Sequence, residues 1–115
     1  MAEKPIHWLG SSFEDLKDEK TFSNEARREA GFQLRQVQRG LDPDNWKPFD
    51  DVGAGTKEIR ITLDDGWYRV MYVTKFPEAV YVLHCFRKKT NSTSQHDKDI
   101  ASVRYRTMVK ERNKK

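Results

Sequence analysis

The spacing of apolar positions changes several times along the chain, and each change marks an element. Phe22, Ala26, Ala30, Leu34, Val37 and Leu41 recur at about 3.6 residues, which predicts one helix with a single apolar stripe. Arg27, Arg28, Arg35 and Arg39 mostly avoid that stripe, and Gly40 supplies a stop. Upstream, the short apolar run Lys4–Gly10, "KPIHWLG", predicts an opening strand. "SSFEDLKD" follows it, with Ser11 and Glu14 at the capping-box spacing of a short helix.

After Leu41 the period is lost. "DPDNWKPFDDVGAGT" carries two prolines and two glycines, so it reads as an irregular connection with Trp46 and Phe49 anchoring it to the core. A period of two then takes over. In "KEIRITL", Ile59, Ile61 and Leu63 alternate with Glu58, Arg60 and Thr62, and Asp64-Asp65-Gly66 predicts a hairpin turn. "WYRVMYVTK" and "AVYVLHCF", separated by Pro77-Glu78, supply two more strands, and such short connections predict an antiparallel meander. A last helix is expected from about Asp97, with Ile100, Val103, Thr107 and Met108 inward and "KERNKK" as a frayed basic tail. The expected fold class is α+β: two N-terminal helices on one face of a small antiparallel sheet, with a C-terminal helix at its edge.

Composition narrows the class. Only 36% of residues are apolar and 35% are charged, yet 11% are aromatic, which is enough to build a core and argues against disorder. With 115 residues the chain reads as one domain, 1–115, without internal repeats. The net charge of +4 favours polyanionic partners, nucleic acid first and an acidic protein next. Cys85 is the only cysteine, so no internal disulfide forms. No segment reads as a signal peptide or a membrane span, and the expectation is a soluble cytoplasmic protein.

Few chemistries fit. His7, His84 and His96 are scattered with no i,i+4 pair, so no metal and no cofactor are expected. Gly53–Gly55 leads into a strand and offers no helix N-terminus to a phosphate. What stands out is cations set into apolar strands: Arg60 between Ile59 and Ile61, and Arg69 between Tyr68 and Val70. An unpaired guanidinium is too costly to bury, so each must meet solvent, a carboxylate or a ligand. Lys88 and Lys89 leave the third strand beside them. Such a cluster can stabilise a dianionic phosphorane-like transition state, which metal-free RNA cleavage requires. Plainer assignments stand beside this one. Arg69 can pair with Glu58 across the hairpin, Arg60 can be solvated, and Lys88 and Lys89 can be a hydrated strand end. His84 and Cys85 fit as core packing, and His96 as a surface residue, a helix cap or a proton donor and acceptor.

The ordered set "KPIHWLGSSFEDLK", "QVQRGLDP", "KEIRI", "GWYRVMYV" and "VYVLHCFRKKT" resembles the RelE/HigB toxin superfamily, and within it the phage-derived HigB-like branch. The resemblance runs from about Lys4 to Arg112. It implies the toxin of a type II toxin–antitoxin module, a ribosome-dependent and metal-independent endoribonuclease that inhibits translation by cutting mRNA. It further implies a small helix-turn-helix, HigA-like antitoxin as partner, besides the ribosome and its mRNA. By the same resemblance Arg69 is a strand phosphate clamp, Arg60 a basic position of the preceding strand, and Lys89 part of the terminal basic pair. Those three and His96 are the implied catalytic residues, with Lys57 and Lys88 as RNA contacts. Several members carry a tyrosine or histidine after the basic pair for proton transfer, and here only His96 fills that role. The branch also usually has proline where Ser94 or Gln95 stands. Two alternatives share the fold: a ParE-like poison of DNA gyrase, and a non-catalytic RNA- or antitoxin-binding relic.

Overall fold

A computed structural model describes residues 3–114. The chain runs β1 (Ile6–Trp8), α1 (Ser12–Lys17), α2 (Asn24–Gln38), β2 (Trp46–Pro48), β3 (Thr56–Leu63), β4 (Gly66–Val73), β5 (Val80–Lys88) and α3 (Gln95–Asn113). The fold is α+β, a five-stranded, mostly antiparallel sheet of order β1-β5-β4-β3-β2 with three helices. The expected meander is β3-β4-β5, turned at Asp64-Asp65-Gly66, where Gly66 takes a φ of 150° that L side chains rarely adopt.

Two strands depart from expectation. β1 joins β5 in parallel, Ile6 opposite Val80, because the chain crosses the whole molecule between them. β2 lies inside the segment read as irregular, pairing Trp46 with Ile59 and Lys47 with Glu58. Its Pro48 obscures the strand pattern but is tolerated there, because β2 is an edge.

Strand alternation divides the molecule into two apolar layers. Ile59, Ile61, Tyr68, Val70, Tyr72, Val80 and Val82 face α1 and α2 and enclose Leu16, Phe22, Ala26, Ala30, Leu34 and Val37. Met71, Val73, Tyr81, Leu83 and Phe86 face the other way and meet Ala101 and Met108 of α3, with Phe49 and Val52. The C-terminal helix thus covers the opposite face and does not lie at the edge. Its inner face keeps Met108 of the expected stripe but not Val103 or Thr107. Ala101 and Met108 are buried, with Tyr105 and Val109 packed beside them, while Val103 is 54% exposed and Thr107 is exposed. The reason is local. Tyr105 packs so close to Gly53 that a Cβ there would collide with its ring, and its hydroxyl donates to the Ala54 carbonyl (2.7 Å). Arg104 adds a hydrogen bond to the Leu83 carbonyl (3.0 Å).

Helix ends carry further corrections. Ser11 precedes α1 but makes no side-chain cap, because its hydroxyl donates instead to Asp15 (2.8 Å). Helix α2 starts at a Ser23 cap accepting from the Ala26 N–H (3.2 Å) and stops before Gly40, so Leu41 leaves the stripe and is 57% exposed. Helix α3 begins two residues earlier than expected, because Ser94 caps the Asp97 N–H (3.2 Å), and it continues through Asn113, so most of the basic tail is helical. Lys115 lies outside the described residues.

Candidate functional site

The β2-β3-β4-β5 register arranges the cations in rows. Lys47 is opposite Glu58, Arg60 opposite Arg69, Arg69 opposite Phe86, and Trp67 opposite Lys88. All project to the α3 side of the sheet, beyond the point where α3 begins. A one-residue bulge in β5, where Leu83 is extra between the pairs Met71–His84 and Tyr72–Val82, brings His84 onto this side as well.

Arg60 and Arg69 are therefore a directly opposed like-charge pair, which is destabilising unless an anion or strong hydrogen-bond acceptors stand between them. Two groups do. Asn91 accepts from both: its carbonyl from Arg60 Nη2 (2.9 Å) and Arg69 Nη2 (3.2 Å), its side-chain oxygen from Arg69 Nη2 (2.6 Å) and Arg60 Nη2 (3.4 Å). Glu58 Oε1 lies 3.5 Å from Arg69 Nε and 3.9 Å from Arg60 Nε. The first of these contacts is an ion pair without hydrogen-bond alignment, since Oε1 and Nε both lack a hydrogen-bond partner among the described residues. Glu58 Oε2 accepts from Thr93 (2.8 Å). Arg69 and Glu58 are both 0% exposed. Burial pushes the Glu58 carboxyl up despite the Thr93 hydrogen bond and the two arginines, and burial with the neighbouring Arg60 lowers Arg69. Arg69 is thus an internal cation whose surface is sealed by the 89–94 segment.

A second polar group ties that segment down. Asp97 accepts from His84 Nε2 (2.9 Å), Lys88 Nζ (3.1 Å) and the Ser94 hydroxyl (2.7 Å). Burial raises its pKa, but these three hydrogen bonds outweigh it and hold the carboxyl well below the usual range. His84 is buried and stacked on Phe86 at 4.5 Å, with Nδ1 lacking a partner among the described residues. The Cys85 thiol, on the other face, is pushed far up by burial and then by Asp15, as suits a packed and protonated thiol.

Two openings flank the 89–94 segment. The larger, about 860 Å³, follows the edge of β5 past Val82, where β1 no longer pairs, and is lined by His84, Lys88, Lys89, His96 and Asp97 among others. The smaller, about 390 Å³, is lined by Lys47, Phe49, Arg60, Lys98 and Asn91–Thr93. Of the residues singled out in the sequence, Arg60 and Arg69 are brought together. Lys88, Lys89 and the exposed His96 share the larger opening beside them. Lys57 is not brought in: it projects to the α2 side, paired with Asp42 (3.1 Å) and over the Trp46 ring (4.5 Å). Sequence reading missed Lys47, Lys98 and Asn91. Recognising Lys47 requires β2, which its proline hides, and Asn91 sits in a loop with no periodicity to read.

Fold and site together define an α+β protein whose mixed sheet gathers arginine and lysine on the face that carries its C-terminal helix. The chain belongs to the phage-derived protein Gp49-like family (DUF891), whose model matches residues 17–106, a family associated with RelE/HigB-type toxins. No curated protein matches the chain.

Proposed function

We propose that the protein is the toxin of a type II toxin–antitoxin module, of the phage-derived HigB-like branch, acting in the cytoplasm as a ribosome-dependent endoribonuclease. The observation that carries this is the Arg60–Arg69 pair, opposed across two strands on one sheet face with Lys88, Lys89 and His96 around the neighbouring opening. In the proposed reaction a ribose 2′-OH attacks the adjacent phosphorus, the P–O5′ bond breaks, and a 2′,3′-cyclic phosphate and a 5′-OH result. One group removes the 2′-OH proton and one protonates the departing O5′, and His96 is the exposed titratable candidate for either role. Arg60, Lys88 and Lys89 offset the charge that develops on the phosphoryl oxygens. Positioning of the message by the ribosome would supply much of the acceleration. A small helix-turn-helix antitoxin would neutralise the protein.

The test adds purified protein to translating ribosomes and maps mRNA ends. New 5′-OH ends that vanish with Arg60→Ala are expected, and an intact message at stoichiometric protein overturns the reading. One observation favours a second reading, a non-catalytic RNA- or antitoxin-binding protein: Arg69 is wholly covered and Lys88 is already paired with Asp97. RNA binding without new ends, in a protein harmless on expression, would select it.

A further inference from the structure

We infer that the smaller opening, formed by Lys47, Arg60 and Lys98, seats a phosphodiester of single-stranded RNA next to the one that is cut, and that it contributes more to RNA affinity than the larger groove. This rests on the RNA-directed reading above and adds to it a second phosphate site, built from residues that no part of that reading uses, apart from Arg60.

Charge balance separates the openings. Four carboxylates, Asp15, Asp64, Asp65 and Asp97, line the larger groove against Lys20, Arg87, Lys88 and Lys89. Lys88 is spent on Asp97 at 3.1 Å, and Arg87 donates to the Asp65 carbonyl. A phosphate entering there meets as many anions as cations. The smaller opening is lined by three cations from three separate elements and by no carboxylate. Lys47 forms no ion pair with any described residue. Lys98 reaches only the largely exposed Asp51 at 3.4 Å, and Arg60 stands 3.9 Å from a Glu58 that Arg69 and Thr93 already engage.

Both ammonium groups lie over the same Phe49 ring, Lys47 at 5.3 Å and Lys98 at 5.2 Å from its centroid, which draws the two cations to one opening. Asn91 fixes the Arg60 guanidinium, and Ser92 also lines the opening. The opening borders the start of α3, whose peptide dipoles add positive potential.

The test measures anisotropy of fluorescein-labelled hexauridylate with the full chain over a range of salt concentrations. The Lys47→Ala/Lys98→Ala double variant should lose on the order of tenfold in affinity at low salt, and its salt slope should fall by about 1.4, two contacts at roughly 0.7 each for a single strand. Lys20→Ala in the larger groove should change affinity less than about twofold, as should Lys110→Ala, roughly 18 Å further along α3 at 1.5 Å per residue. Unchanged binding in the double variant, a loss confined to Lys20→Ala, or no measurable binding by the unaltered chain at low salt each overturns the assignment. The ribosome assay separates the two readings. Cleavage indifferent to the double variant removes this site and leaves the nuclease standing. Binding that depends on both lysines without any cleavage does the reverse.

Discussion

Arg69 and Glu58 are fully buried, so each is held in the fold chiefly by the other and by Asn91 and Thr93. Removing one partner of such a pair leaves an uncompensated internal charge, at a cost of about 3–5 kcal/mol. Glu58→Ala should therefore destabilise the protein by that amount in urea titration, and Arg69→Ala should do nearly the same. Arg60, with 18% of its side chain exposed, should tolerate Arg60→Ala within about 1 kcal/mol. The distinction matters for any activity measurement: loss of function in Arg69→Ala reports the fold as well as the chemistry, whereas Arg60→Ala isolates the chemistry. At this scale the sequence was readable in part. That a guanidinium between apolar neighbours needs a partner, and that Glu58 can supply it, follows from strand alternation and the Asp-Asp-Gly hairpin. That Asn91 would stand between two arginines does not follow, because a loop residue 22 positions from Arg69 has no local pattern to betray its contact.

The start of α3 depends on Asp97. Hydrogen bonds to a charged group contribute about 1.5–3 kcal/mol, and Asp97 receives such bonds from Lys88, His84 and Ser94 at once. Its folded-state pKa is lowered, so this stabilisation is complete above the ordinary Asp value of 3.8 and is lost as pH falls below it. Asp97→Asn should lower stability at pH 7 and flatten the acid limb of a stability-against-pH curve measured by denaturant titration. Glu58 acts with the opposite sign: its pKa is raised, so its contribution is complete at low pH and declines as pH rises through the folded value. Further along α3, Gly53→Ala would force a Cβ into the Tyr105 ring. Overpacking of this kind costs about 1–3 kcal/mol, which a lowered thermal midpoint would register. Helix positions were legible from a period near 3.6 residues, and α2 shows it. The face of α3 was not, because Tyr105 can turn inward only where a glycine from a distant loop makes room. Strand β2 was hidden by the proline that its edge position permits.

Across the whole molecule, the class of fold was readable because three strands joined by short turns can pair only with one another. The sheet's outermost member was readable as a strand but not as a neighbour, since nothing in residues 6–8 names β5. Ile6 pairs with Val80, a separation of 74 positions that must close after the local hairpins have formed. Ile6→Ala should accordingly speed unfolding in stopped-flow experiments while leaving the folding rate nearly unchanged, as expected where contacts form after the transition state. The same parallel pairing sets a delay during synthesis. A chain made N-terminus first holds Ile6–Trp8 without its partner until Val80–Val82 exists, an interval of about 4–15 s at 5–20 residues per second. For most of it the apolar stripe of α2 also lacks β4, throughout it lacks β5, and the arginine face is incomplete. The protein therefore passes through most of its translation without the surface assigned to RNA and gains it only once Lys98, at the start of α3, has been made.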